Sequence, residues 1–130
     1  MNRIKSFVVA VIIVTCSTIV FSQNTEVTIK KNREFSEAVS LFDNQKYTAA
    51  QQKFIHIASS DMYSQTLRVD AEYYTAVCAL RLFNGDAEIL IKQFIKLHPE
   101  STRIFHAYFE YANYLFREQK YPESLIWYEL

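Results

Sequence analysis

One pattern of side chains occurs three times in this chain of 130 residues, and that repetition constrains the fold more than any other feature. The segments 41–47 (LFDNQKY) and 115–121 (LFREQKY) agree at five of seven positions, although they lie near opposite ends of the chain. Between and around them, a constant step of 37 relates three small residues, Ala50, Ala87 and Ser124. Three copies of a unit predict a stacked repeat in which each unit contacts its neighbours.

Each unit carries apolar residues at helical spacing in both of its halves. In the first unit Phe35, Ala38 and Phe42 share one face of a first (A) helix, and Ala50 and Phe54 share one face of a second (B) helix. The A-helix residues that align with these in the later units are Tyr73, Ala76 and Leu80, then Phe109, Ala112 and Phe116. Each unit is therefore predicted to be a helical hairpin, with alanines that let its helices approach closely.

Composition agrees with a helical fold. One Gly and two Pro are too few for many tight turns, whereas ten Phe and nine Tyr favour helices that pack through aromatic side chains. The sequence predicts an all-α solenoid of three hairpins over residues 33–130. The third hairpin is incomplete, because its B helix would run only from Pro122 to Leu130.

Residues with known helix-end preferences mark the predicted joints. Thr48 with Gln51 reads as a capping box that opens the first B helix. In the second unit, Gly85 is predicted to stop the A helix and Asp86 to cap the B helix. Pro99 is predicted to end that B helix.

The first 22 residues differ in composition from the rest. Arg3 and Lys5 precede an unbroken run of apolar and small residues at 7–21, which is typical of a secretory signal peptide. Small residues before Gln23 predict cleavage there, so residues 1–22 would be removed.

Two alternatives stay open for this N-terminus: an uncleaved membrane anchor, and lipidation at Cys16. Residues 23–32 are polar, lack helical periodicity and are interpreted as a leader. Without residues 1–22 one cysteine remains, Cys78, so no internal disulfide is expected. Its apolar helical surroundings predict a buried structural thiol.

These features resemble the tetratricopeptide repeat family over residues 33–130. The resemblance rests on an aromatic residue in the A–B turn, a small residue three positions later, a bulky residue four further, and a closing proline: Tyr47 and Tyr121, Ala50, Phe54 and Tyr128, and Pro99. The period of 37 exceeds the family's usual 34 or so. Asn84 and Gly85 replace the turn aromatic in the second unit, so a related helical-hairpin solenoid stays open.

The resemblance implies an exported scaffold that binds a protein or peptide in the periplasm or cell envelope of a Gram-negative bacterium. The partner would bind in a concave groove lined by the A helices. Carrying over the family's groove-facing positions gives five candidate contact residues: Asp43, Tyr73, Arg81, Asn113 and Arg117. Phe35, Phe42, Phe109 and Phe116 fall at such positions too, but are expected to pack within the fold.

The alternative function is a structural spacer, or the N-terminal cap of a longer envelope protein whose activity lies after residue 130. The last repeat leaves Trp127 and Tyr128 without a covering helix. Further C-terminal repeats, or a partner that covers this end, are therefore expected. Membrane association is expected only through an uncleaved or lipidated N-terminus.

Other function classes find little support in the residues. Fourteen basic and fourteen acidic residues form no basic stripe, so nucleic-acid binding is not expected. The three histidines have no metal-ligand spacing, and one Gly cannot build a phosphate-binding loop, so no metal or cofactor is expected. No arrangement of nucleophile and base is recognisable, and the chain is not predicted to be an enzyme.

Overall fold

The computed structural model describes residues 26–130, and this part of the chain is all-helical, with six helices and no strand. The helices are α1 (residues 26–43), α2 (Tyr47–Ser59), α3 (Gln65–Leu82), α4 (Ala87–Leu97), α5 (Ile104–Arg117) and α6 (Tyr121–Tyr128). Successive helices pair into three hairpins, which confirms the predicted all-α hairpin repeat. The predicted signal peptide lies outside the described residues.

The turns of the first and third hairpins have the same backbone geometry. Gln45 and Gln119 adopt left-handed conformations with φ of 59° and 62°. The Lys46 N–H donates to the Leu41 carbonyl at 2.9 Å, and the corresponding bond closes the third-hairpin turn at 2.9 Å. This six-to-one bond is that of a Schellman motif, which satisfies a carbonyl at the helix end. The shared LF–QKY sequence therefore encodes one turn twice.

The second turn uses a different residue from the one predicted. Phe83, with φ of 55°, is the left-handed residue, and the Asn84 N–H donates to the Ala79 carbonyl at 3.0 Å. The expectation that Gly85 stops α3 is wrong, since the helix has already ended at Leu82. Asp86 does occupy the N-cap position of α4, but its side chain makes no capping hydrogen bond.

The predicted capping box at the start of α2 is also wrong. The helix begins at Tyr47, and no side chain caps it. The Gln51 side chain instead faces α3, where its Nε2 donates to the Thr75 carbonyl at 3.2 Å. A bond to the neighbouring hairpin has therefore replaced the local bond that the sequence suggested.

Two helices begin earlier than their apolar periodicity indicates. Residues 26–32, interpreted as a leader, are helical and continuous with the rest of α1. Helix α3 begins at Gln65, where the Ser64 hydroxyl accepts a bond from the Leu67 N–H at 3.4 Å. Both extensions follow from helix propagation, because adding a residue to an existing helix costs far less than starting one.

The prolines lie where the sequence predicts. Helix α4 ends at Leu97, two residues before Pro99. Pro122 occupies the first turn of α6, where its missing N–H leaves no helical bond unmade. Proline thus sets the end of α4 and the start of α6.

Residues 35–130 form one compact unit, and α3 is its central helix. Side chains on one side of α3, including Ala71 and Cys78, join a hydrophobic cluster with the first hairpin. Those on the other side join a second cluster with α4 and α5. The members of α3 in this second cluster are Tyr73, Ala76, Val77, Ala79 and Leu80. Because α3 contributes side chains to both clusters, it joins the first hairpin to α4 and α5.

The predicted small residues are buried at the helix contacts. The alanines expected there are all fully or almost fully buried: Ala38, Ala50, Ala76, Ala87 and Ala112. Ser124 takes the alanine position in α6 and is buried too; its hydroxyl donates to the Ala112 carbonyl at 2.9 Å. Hydrogen bonding removes the cost of burying that hydroxyl, so serine substitutes for alanine here. Cys78 is buried as predicted, and burial raises the pKa of its thiol to about 12.

Candidate protein-interaction surface

Tyr73, one of the five candidate contact residues, lies in the core rather than on a groove. Only 6% of the residue is exposed. Its ring packs against Tyr74 and Phe94, with centroids 5.2 and 5.7 Å away. Burial, the largest cause, raises the pKa of its hydroxyl above the usual range. The expectation that Tyr73 faces a partner is corrected, because its side chain is buried in the cluster that α3 forms with α4 and α5.

Arg81 is engaged within the fold. Its Nη2 donates to both carboxylate oxygens of Glu110, at 2.7 and 2.8 Å. This ion pair joins α3 to α5 and is partly buried. Arg81 therefore contributes to the packing of the second hairpin against the third.

The remaining candidates lie on different parts of the molecule. The Asn113 side-chain oxygen accepts a bond from the Tyr128 hydroxyl at 2.6 Å. The Arg117 guanidinium lies over the Phe83 ring, 5.1 Å from its centroid. Asp43 is exposed near the end of α1. The structure thus brings Asn113 and Arg117 together on α5, but does not assemble the five residues into one groove.

Exposed apolar side chains are concentrated on the third hairpin. Phe109 and Phe116 were expected to pack within the fold, yet they are 56% and 54% exposed. We define the α5–α6 face by five exposed residues of these two helices: Phe109, Phe116, Tyr121, Leu125 and Tyr128. Contiguous exposed apolar patches occur at protein or membrane interaction sites and at ligand-binding grooves, so this face is a candidate interaction surface.

The rings of this face are held in pairs. Phe109 packs edge-on against Tyr128 with centroids 5.8 Å apart, and Phe116 against Tyr121 at 5.2 Å. The bond from Tyr128 to Asn113 fixes one of these rings further. A surface whose side chains are already positioned loses less conformational entropy when a partner binds.

Trp127 does not belong to this face, which corrects the expectation that it is uncovered. It is half-buried and packs on Tyr111 and Tyr108, with centroids 5.0 and 5.7 Å away. Tyr128, the next residue, is 42% exposed as expected. Trp127 therefore attaches α6 to α5, whereas Tyr128 remains accessible.

A second apolar depression lies between α2 and α4, with a volume of about 420 Å³. Ile55, Leu90 and Leu97 line it, together with Thr75 and Glu72 from α3. Phe94 is the one aromatic residue among those that line it, and it is almost completely buried. This depression exposes apolar side chains, but less aromatic surface than the α5–α6 face.

The charged groups around α4 have a structural role. Glu88 accepts hydrogen bonds from Lys120 Nζ at 2.7 Å and from the Tyr111 hydroxyl at 2.9 Å. Lys92 adds a third at 3.2 Å. These bonds, that from Lys120 first, lower the pKa of Glu88 from its ordinary 4.5 to about 2. The carboxylate therefore ties α4 to the third hairpin in its ionised form.

A pH dependence follows from the lowered pKa of Glu88. Its stabilising contribution is present above pH 4.5 and is lost as the pH falls through about 2. Replacing Glu88 by glutamine should therefore reduce the loss of stability on acidification. Thermal melts from about pH 6 to about pH 2 measure this change. Glu100→Gln, at an exposed position, is the control; equal acid sensitivity in all three proteins would contradict the assignment.

His98 Nε2 lies 2.6 Å from Glu72 Oε2, as an isolated pair between α3 and the end of α4. Residues 26–130 contain no group of three His, Cys, Asp or Glu side chains placed to hold a metal ion. In the same range, none of the helices has both the length and the apolar character needed to cross a bilayer.

Comparisons with protein-family models, curated proteins and solved structures gave no match. The resemblance to tetratricopeptide repeats therefore stays a prediction, alongside the hairpin architecture that the structure shows.

The sequence did not indicate the α5–α6 face as a unit. Phe109 and Phe116 were treated as packing residues and Tyr121 as part of a turn, and Leu125 was not singled out. The alignment of the third unit with the first was the available signal, since it relates Phe109 to Phe35 in the first hairpin. The alignment does not show whether a helix covers Phe109 as a helix covers Phe35.

Proposed function

We propose that this protein is an exported helical-repeat scaffold of the tetratricopeptide type that binds a protein partner in the cell envelope of a Gram-negative bacterium. The observation that carries the binding role is the α5–α6 face, with its paired and exposed aromatic rings. The proposed contact surface therefore moves from a groove along the A helices to the third hairpin, since Tyr73 is buried and Arg81 is paired.

Aromatic rings favour protein binding on physical grounds. A buried ring removes a large apolar area from water, and its two rotatable bonds cost little entropy to order. Tyrosine also keeps a hydroxyl for hydrogen bonding at the rim of an interface. The α5–α6 face combines four such rings with the apolar Leu125, and so resembles the core of an interface.

The envelope location has separate support. It rests on the signal-like segment 1–22 and on what the family resemblance implies for exported members. The binding surface and the compartment are therefore independent parts of the proposal.

A library of helical peptides displayed on phage and selected on the purified protein tests the binding role. We expect selected peptides that lose binding when Phe109→Ser and Phe116→Ser are combined, because both phenylalanines of the α5–α6 face are then removed. Ile55→Ser on α2 is the matched control, since Ile55 is 50% exposed but lies elsewhere. Selected peptides that bind the double variant as well as the wild type would contradict the proposed surface.

A further inference from the structure

The first hairpin shows what an aromatic face of this kind binds. Phe35, Phe42 and Phe54 surround the ring of Tyr74 from α3, with centroids 6.1, 5.2 and 4.7 Å from it. Phe54 and Tyr74 are stacked, with planes only 10° apart. Tyr47 packs against Phe42 at 5.4 Å. We call the four first-hairpin rings, Phe35, Phe42, Tyr47 and Phe54, the first-hairpin pocket.

The α5–α6 face reproduces this pocket two repeats later in the chain. Aligning the third unit with the first places the four rings of the pocket on Phe109, Phe116, Tyr121 and Tyr128. The Phe35–Phe54 pair, at 5.7 Å and 66°, corresponds to a pair at 5.8 Å and 61°. The Phe42–Tyr47 pair, at 5.4 Å and 70°, corresponds to one at 5.2 Å and 67°. Aromatic character, ring geometry and the turn between the helices are therefore all repeated.

The second hairpin is built differently. Of the four ring positions it keeps one aromatic residue, and its others hold Leu80, Asn84 and Ile91. Helix α5 places Glu110 at the position where α3 has Tyr74, and Glu110 binds Arg81. The first hairpin, with four rings, thus receives a tyrosine from the next A helix, whereas the second hairpin, with one ring, receives a glutamate. The α5–α6 face, with four rings, is of the first kind.

We infer that the α5–α6 face receives an α-helix of a partner protein that carries an aromatic residue, seated as Tyr74 is seated in the first-hairpin pocket. In α3 that tyrosine has Ala71 three residues before it and Cys78 four residues after it, both fully buried. The partner helix accordingly carries small residues at these two spacings, since larger ones would hold it away from the rings. This inference rests on the proposed function and names the chemistry of its partner.

A second copy of this chain does not supply such a helix from its repeat. Helix α1 has Ser36 and Ser40 at the positions that correspond to Tyr74 and Cys78, and α5 has Glu110. Helix α3 has the required residues, but Ala71 and Cys78 are buried and Tyr74 is partly buried against the first hairpin of its own subunit. The described helices of a second copy are therefore not the source of the inferred helix.

A peptide based on α3 is a direct probe. It contains residues 65–82, with a lactam bridge on the outward side that keeps an isolated helix of this length folded. Residues that face α4 and α5 in the protein are made polar, and the thiol is removed, by Tyr73→Gln, Val77→Gln, Leu80→Gln and Cys78→Ala. Two control peptides carry Tyr74→Ala or Tyr74→Glu in addition.

Fluorescence anisotropy of the labelled peptides with the purified protein gives the expected order of affinity. The tyrosine peptide should bind at least about tenfold more tightly than the alanine peptide, because the ring fills the space between the four rings. The glutamate peptide is the strictest control, since Arg117 occupies the position at which Arg81 binds Glu110. It too should bind at least about tenfold more weakly than the tyrosine peptide.

Protein variants locate the bound peptide. Phe109→Ser should weaken binding of the tyrosine peptide at least about tenfold, whereas Ile55→Ser should leave it unchanged. Equal affinity of the tyrosine and alanine peptides, tighter binding of the glutamate peptide, or no effect of Phe109→Ser would overturn the inference. So would a homodimer that dissociates in Phe109→Ser, since the occupant would then be a second copy.

The outcomes separate this inference from the proposed function. If library peptides bind the α5–α6 face without needing an aromatic residue, the binding role holds and the inferred partner chemistry is wrong. If no peptide binds the face, both are wrong.

Discussion

Replacing Phe54 by alanine should lower the free energy of unfolding by about 3–5 kcal/mol. Phe54 is completely buried, stacks on Tyr74 at 4.7 Å and packs edge-on against Phe35. Its removal leaves a cavity at the contact between the first hairpin and α3, and the rings around it would lose their partner. Urea denaturation followed by circular dichroism measures the change.

Tyr128→Ala is the matched control for Phe54→Ala. Tyr128 occupies the position of Phe54 in the third hairpin, two repeats later, but is 42% exposed. Tyr128→Ala should cost about 1 kcal/mol or less, because the residue is exposed and Phe109, its ring partner, is exposed too. Equal losses for the two substitutions would show that the first and third hairpins are covered to the same extent, contrary to the structure.

Ala50→Leu should have the second largest effect, a loss of about 1–3 kcal/mol. Ala50 is completely buried in the cluster that holds the first hairpin to α3. Three additional carbon atoms have no space there, so the helices must move apart or adopt strained rotamers. A thermal melt detects the loss as a lower midpoint.

Ala49→Leu is the matched control, since it makes the same change one residue earlier on the exposed side of α2. It should alter stability by no more than about 0.5 kcal/mol. A melt of Ala50→Leu that coincides with that of Ala49→Leu would show that the helices are not in close contact at this position.

The two interfaces between hairpins differ in chemistry. The first hairpin binds α3 through aromatic stacking around Tyr74, whereas the second binds α5 with the help of an ion pair between Arg81 and Glu110. Repeat proteins are stabilised mainly by contacts between neighbouring units. The α5–α6 face repeats the ring pairs of the first of these interfaces.

Much of the backbone could be predicted from local sequence. The repeated LF–QKY segment predicts two turns at the same place in two hairpins, and the structure has the same left-handed glutamine in both. Pro99 and Pro122 predict helix ends correctly because proline constrains the backbone directly. The capping box of Thr48 and Gln51 failed for the opposite reason, since Gln51 found a partner on another helix.

The candidate site could be predicted less well because it depends on contacts between helices. Tyr73 and Tyr74 are adjacent tyrosines on α3, and apolar periodicity does not tell which one faces which hairpin. In the structure Tyr74 enters the first-hairpin pocket, and Tyr73 packs toward α4. Likewise, the pairing of Arg81 with Glu110 joins residues of two units, and spacing within one unit cannot reveal it.

The sequence by itself determined the period, the hairpins and the positions of two turns, because these follow from spacing and from the backbone preferences of residues close together in the chain. Only the tertiary structure decided which aromatic residues are covered. Phe35 and Phe109 occupy equivalent positions, and so do Phe54 and Tyr128. Helix α3 covers the first of each pair, whereas the second of each pair stays exposed on the α5–α6 face. Burial is a property of the neighbouring helix, and a residue's own sequence context does not contain it.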